Sequence, residues 1–200
     1  RLALDFTIDI CRGLIRAHKS HIVHRDLKPG NILIDQSGEP HIADFGLARR
    51  ETAHDVTVTR SGALIGTPAY MSPEQARGDT RAISSQSDVY SMGVILYLML
   101  TGQRPFKATE SRTLLYNIQT IEPKPPRKVN PAIKRDLQTI CVKAMSKAPG
   151  NRYATAGRMA DDLQRFLDCH PVVARPVSAP TRFVRMVRRN RAVSAAVLVA

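Results

Sequence analysis

The sequence predicts a mainly α-helical fold with one small β-hairpin, and three stretches carry that prediction. Residues 2–18 place apolar side chains at Leu4, Ile8, Cys11 and Ile15, with a second row at Phe6, Ile10, Leu14 and Ala17. Two adjacent rows at three-to-four spacing make a wide apolar face, hence a well-buried helix. Residues 87–100 are apolar nearly all round but shorter than the roughly 20 residues a bilayer crossing takes, so they read as a buried core helix. Ile32-Leu33-Ile34 and His41-Ile42-Ala43 flank the turn-rich Asp35-Gln36-Ser37-Gly38, the pattern of a hairpin.

With 200 residues, 43% apolar and 24% charged, the composition is globular and the chain long enough for a sizeable core. Arg1-Leu2-Ala3 begins inside the first periodic helix without a cap, so the sequence reads as truncated upstream. His18, at the end of the first helix, and His21 lie at no metal-site spacing and read as surface or capping residues. Residues 49–62 are polar and aperiodic and read as a mobile loop. Ser72 ahead of Pro73 is a good helix start. Asp88 at the head of the core helix suits an N-cap, and Gly102, Pro105 and Phe106 end that element. Asn130-Pro131 predicts a helix running to about Met145, and Thr155 another, with Met159, Leu163, Phe166 and Leu167 inward. Cys11, Cys141 and Cys169 are scattered and odd in number, hence reduced thiols rather than a disulfide or zinc framework.

The chemistry is concentrated in residues 22–44, which contain His24-Arg25-Asp26, Lys28, Pro29, Asn31 and, further on, Asp44-Phe45-Gly46. An acid, a cation and two oxygen ligands at this spacing suit transfer of a phosphoryl group, where the protein's work is alignment and charge neutralisation. This run resembles the catalytic loop and metal-binding motif of the eukaryotic-type (Hanks-type) Ser/Thr protein kinases. The chain is identified with the C-terminal lobe of that fold over residues 1–169. The resemblance implies that Asp26 receives or orients the proton of the attacking hydroxyl and that Lys28 lies by the γ-phosphate of ATP. It also implies that Asn31 and Asp44 hold Mg²⁺, or Mn²⁺ in its place, and that Leu33 packs beneath the adenine while contributing to the core. Oxygen ligands fit a hard cation of this kind. His24 and Phe45 belong, on the same resemblance, to an internal stack that aligns the site.

Residues 44–74 resemble a complete activation segment. Arg25, next to Asp26, typically pairs with a phosphate there, so phosphorylation is expected at Thr57 or Thr59, with Ser61 as a third position. Gly66-Thr67-Pro68-Ala69-Tyr70-Met71-Ser72-Pro73-Glu74 matches the substrate-docking loop, with Ser72 where the family motif has Ala. Thr67 together with Lys28 is the Ser/Thr-kinase pattern, and the Thr67 hydroxyl is expected to contact Asp26 and Lys28. By resemblance Asp88 bonds the backbone of the catalytic loop, which is compatible with the capping reading, and Arg152 pairs with Glu74.

The formal charge of +13 is uneven: all 17 acidic residues lie at or before Asp168, whereas residues 170–200 carry six Arg and no acid. No groove-reading motif or aromatic-interleaved basic patch accompanies this charge, which argues against nucleic acid. Residues 170–191, rich in Pro and Arg, read as a juxtamembrane linker, and the apolar 192–200 as the start of a transmembrane helix. The kinase domain is thus expected on the cytoplasmic side of a membrane, as in bacterial membrane-anchored Ser/Thr kinases, with Ser/Thr-bearing proteins as substrates and a homodimer for trans-autophosphorylation. No G-x-G-x-x-G loop, V-A-I-K lysine or partner glutamate occurs in the sequence, so these are expected upstream of Arg1, and the 200 residues alone are expected to transfer phosphate negligibly. Two rivals stand beside the protein kinase: a pseudokinase scaffold, which an upstream lesion would produce, and a small-molecule phosphotransferase of kinase-like fold.

Overall fold

The computed structural model describes residues 1–45 and 68–174. Gly46, the loop positions Thr57, Thr59 and Ser61, Thr67, and the segments 175–191 and 192–200 lie outside these residues. Among the described residues the fold is mainly helical with one two-stranded antiparallel ribbon, as the sequence predicts.

Helix α1 (Leu2–Lys19) buries Leu4, Ile8, Ile10, Cys11 and Leu14, the inner part of its two apolar rows. Strands β1 (Ile32–Ile34) and β2 (Pro40–Ile42) pair in the register Ile32↔Ile42, Leu33↔His41 and Ile34↔Pro40. Their turn is organised by Asp35, whose Oδ1 accepts from Ser37 N (2.8 Å), Ser37 Oγ (2.6 Å) and Glu39 N (3.0 Å). Gly38 follows at φ 87°, a conformation that favours glycine. Ile32 and Ile42 pack on the core, and a Cβ at Gly13 of α1 would meet Ile42 Cδ1 at 3.2 Å, so the ribbon lies closely on that helix. Alternation along a strand then turns Leu33 outward, at 57% exposure. The core half of the Leu33 expectation is therefore corrected.

Helix α2 (Pro73–Ala76) starts at Ser72, and α3 (Ser85–Thr101) at Ser84, both through capping boxes. Asp88 consequently sits inside the first turn of α3, and its reading as an N-cap is overturned: Ser84 takes the capping role, with its Oγ accepting from Gln86 N at 3.3 Å. Gly102 closes α3 at φ 71°, its N–H bonded to Leu98 O. Val89, Tyr90, Met92, Val94 and Leu96 have no exposed surface, which explains the missing polar face: α3 is packed against α1, α6 and α7.

Helices α4 (Ser111–Thr120), α5 (Pro126–Val129), α6 (Arg135–Ala144) and α7 (Ala156–Leu167) complete the lobe. The helix expected from Asn130-Pro131 begins only at Arg135, after Lys134. Asn130 Oδ1 accepts from Ala132 N (3.1 Å) and Asn130 O from Ile133 N (3.2 Å), so the pair closes a local turn. Thr155 does cap α7, accepting from Arg158 N. Beyond α7 the chain reverses at Cys169 (φ 59°) and residues 170–174 fold back on the lobe. Val172 is buried there, and Asp162 of α7 accepts Val173 N (2.6 Å) and Ala174 N (2.8 Å).

Candidate active site

The catalytic loop begins where α1 stops. Ser20 ends the helix with its N–H on Ala17 O, and His21 turns the chain at φ 58°. Two backbone donors then point at one carboxylate: His24 N reaches Asp88 Oδ2 and Arg25 N reaches Asp88 Oδ1, each at 2.9 Å. His18 Nε2 lies 2.8 Å from the same Oδ2. His18 is thus not the surface or capping residue expected; an almost buried carboxylate with no Lys or Arg partner among the described residues needs every donor within reach. Arg25 has φ 71°, which costs a non-glycine residue on the order of 1–3 kcal/mol and persists only when neighbours fix it. Its N–H is held by Asp88 and its carbonyl accepts from Gln75 Nε2.

Leu27, fully buried, nails the next residue to the core, while Asp26 and Lys28 on either side of it stay accessible. Lys28 Nζ donates to Asp26 Oδ2 at 2.6 Å. Asn31, at the end of the Pro29–Asn31 turn, donates Nδ2 to Asp26 O (2.8 Å) and to Asp26 Oδ2 (3.2 Å). Asp26 is therefore an oriented, half-exposed carboxylate. Both protons of the Asn31 amide are committed, which leaves its oxygen as the atom available to a cation.

Asp44 is reached through the ribbon. Ala43 N donates to Asn31 O (2.9 Å) and Ala43 O accepts from His24 Nε2 (2.8 Å), so the residue preceding Asp44 is tied to the catalytic loop through both of its peptides. His24 Nδ1 accepts from Asp26 N (3.3 Å), and the two bonds together specify the neutral ring with its proton on Nε2. Phe45 meets that ring edge-on, centroids 4.9 Å apart. Asp44 itself is exposed with φ 59°. A carboxylate and a carboxamide oxygen fit a hard divalent cation that takes its other ligands from water and phosphate. No cluster of three or more His, Cys, Asp or Glu side chains among the described residues offers a self-sufficient metal cage.

Glu74 and Arg152 form the second fixed point. Nη1 and Nη2 donate to Glu74 Oε1 and Oε2, both at 2.7 Å, with both side chains fully buried. The remaining guanidinium protons go to Ser146 O, Gln86 O and Lys147 O, and the plate lies 5.0 Å from the Tyr90 ring centre. Ser87 Oγ adds a third bond to the carboxylate at 2.6 Å. Burial pushes the Glu74 carboxyl up, but the bonds from Arg152 and Ser87 outweigh it and hold the group at about 2.

Gln75 and His18 escaped the sequence reading. The signal for Gln75 was present as Ser72-x-x-Gln75, the capping-box spacing. A separate open recess of about 760 Å³, lined by Lys143, Tyr153, Arg158, Asp161 and Val173 among others, includes none of the catalytic-loop residues.

A helical lobe that sets an oriented Asp, a Lys and two further oxygen-bearing side chains, Asn31 and Asp44, beside a short ribbon has the architecture of a phosphotransferase half-site. The family model for the protein kinase domain matches residues 2–163, and the chain belongs to the protein kinase family. It is similar to the serine/threonine-protein kinase PknB of Mycobacterium leprae, 41% identical over 169 residues, and to that of Mycobacterium tuberculosis, 40% identical over 169 residues; each match takes in 84% of this chain and 27% of the relative. A probable serine/threonine-protein kinase of Streptomyces coelicolor is 38% identical over 171 residues, 86% of this chain and 25% of that protein. The chain spans about a quarter of the length of the curated relatives it matches.

Proposed function

We propose that the protein transfers the γ-phosphoryl group of ATP to Ser and Thr hydroxyls of proteins. The observation that carries this reading is the Asp26 carboxylate, half-exposed and aimed by Lys28 Nζ at 2.6 Å and Asn31 Nδ2 at 3.2 Å. In the proposed step the hydroxyl oxygen bonds to the γ-phosphorus, the bond to the bridging oxygen breaks, the hydroxyl proton passes to Asp26 and ADP leaves. Lys28 neutralises phosphate charge from beside Asp26. Asn31 and Asp44 would hold Mg²⁺ or Mn²⁺, which supplies further neutralisation of the phosphate oxygens. The outward face of Leu33 would support the adenine.

Arg25 would receive a phosphate on Thr57, Thr59 or Ser61, and Thr67 would bridge Asp26 and Lys28. Trans-autophosphorylation in a homodimer would deliver that phosphate. The domain boundaries proposed are those of the sequence reading, a catalytic lobe to residue 169, a Pro/Arg-rich linker to 191 and the start of a membrane span from 192, with the difference that the first linker residues, 170–174, dock on the lobe; the span would keep the kinase domain at the cytoplasmic face. No helix among the described residues is long and apolar enough to cross a membrane.

Phosphosite mass spectrometry on the full-length protein with ATP and Mg²⁺, beside an Asp26→Asn control, tests the proposal. Phosphate on Thr57 or Thr59 in the native protein alone is the expected result. Absence of phosphate from the native protein, together with no transfer to added Ser/Thr peptides, overturns it.

A further inference from the structure

The strained peptide before Asp26 is gripped from two sides, and one grip comes from an unforeseen residue. Asp88 of α3 takes the Arg25 N–H, and Gln75 of α2 takes the Arg25 carbonyl. Gln75 has two separate tasks, divided between the two ends of its amide. Its Oε1 accepts from Ser72 N and Ser72 Oγ, both at 3.0 Å, completing the capping box of α2. Its Nε2 donates to Arg25 O across 50 residues of chain. The base of α2 is itself immobilised, because neighbouring Glu74 is locked to Arg152 and Ser87.

We propose that Gln75 is a positioning residue for phosphoryl transfer, holding the Arg25 peptide in its φ 71° conformation from α2 and thereby setting the direction of the Asp26 carboxylate. The inference rests on the kinase reading for its catalytic consequence. Its structural logic stands on the bond itself. A non-glycine residue at positive φ relaxes towards negative φ when its restraints are removed, and that rotation swings the following peptide. Asp26 is the next residue, and its carboxylate must be aligned to accept a proton. The bridge also ties the end of the activation segment to the catalytic loop, since Ser72 caps α2 and Pro73 and Glu74 of the same motif form its first turn. A shift of that segment would reach Asp26 through one side chain.

The substitution that separates the two tasks is Gln75→Glu. Glutamate serves a capping box as well as glutamine and suits a helix N-terminus, so α2 keeps its start. It has no N–H, and it sets a carboxylate oxygen against the Arg25 carbonyl. In the full-length protein, Q75E is expected to melt within about two degrees of native, to keep the KM for ATP within about twofold, and to lose kcat by about tenfold or more, the scale of one hydrogen bond realised at the reacting geometry. Native-state hydrogen exchange provides an activity-independent reading: the amides of His24 and Arg25 exchange faster in Q75E, while those in the middle of α3 do not. A folded Q75E with native kcat, or with unchanged exchange at His24 and Arg25, overturns the inference. Should Q75E fail to melt cooperatively, Gln75→Met carries the same two readouts, because it also removes the donor while filling the space. A native protein without transferase activity would count against the kinase reading and leave the exchange experiment to decide the bridge.

Discussion

At the scale of single residues, the most committed interaction is the ion pair between Glu74 and Arg152. Every guanidinium proton has an acceptor, and the carboxylate has Ser87 besides. Breaking such a pair leaves an uncompensated buried charge, so Arg152→Ala is expected to cost about 3–5 kcal/mol in denaturant unfolding, whereas an exposed pair would contribute almost nothing. Unchanged stability would refute the buried pairing. The linkage has a definite sign. A carboxyl held at about 2, below its ordinary 4.5, contributes stability that is complete above pH 4.5 and lost as the pH falls towards 2. Arg152→Ala should therefore flatten the acid limb of the native stability curve. Legibility at this scale follows chain distance. Asp26, Lys28, Asn31 and Asp44 fall within one short stretch, and their spacing could be read directly. The pairing of His18 with Asp88 spans 70 residues and that of Gln75 with Arg25 spans 50. Neither pairing leaves a local pattern: Ser72-x-x-Gln75 announces the cap but not the bond to Arg25, and a histidine after an apolar row looks the same whether water or a carboxylate receives it.

At the scale of elements, burial periodicity and capping chemistry were readable wherever they agreed. The two apolar rows gave α1, and the all-round apolar run gave α3 as a core helix. Where they conflicted, capping chemistry misled. Asn130-Pro131 has the composition of a helix start, but the asparagine oxygen is satisfied two residues later, and buried Ile133 anchors a turn before α6 can begin. What the sequence did not disclose was how closely α3 and α6 approach. A Cβ at Gly93 would sit 2.8 Å from Met145 Cγ and 2.9 Å from Ala144 Cβ, with Ala144 C at 3.2 Å. Glycine in a helix interior ordinarily loses to alanine by up to about 1 kcal/mol. Here the order should reverse: Gly93→Ala must displace buried side chains and the end of α6, at a cost of about 1–3 kcal/mol by thermal melting. A variant as stable as native, or more so, would show that the α3–α6 contact has slack.

For the molecule as a whole, the question is how firmly the lobe holds the residues that follow α7. Composition changes at His170, yet the fold holds on beyond that point. Cys169 turns the backbone, His170 N bonds Arg165 O (2.7 Å), Arg165 Nε bonds Pro171 O (2.8 Å), and Val172 enters the same core as α1, α3, α6 and α7. The strap ends on Asp162, a buried carboxylate with three donors, Tyr153 Oη (2.9 Å) and the two backbone amides of Val173 and Ala174. Proline-rich composition signals an extended backbone but says nothing of whether a buried acceptor awaits it, which is why this docking was illegible in the sequence. A chain ending at Cys169 would lose two of the three donors to Asp162 and the burial of Val172, whereas one ending at Ala174 would lose neither. Allowing for water at the vacated carboxylate, the shorter chain is expected to be less stable by about 2–4 kcal/mol. That difference corresponds to a fall in Tm of several degrees or more. Equal melting of the two chains would show that the strap rests on the lobe without holding it. The expected difference would show that the strap of residues 170–174 braces α7 through Asp162 and, through the packing of α7 against α1, the helix that leads into the catalytic loop.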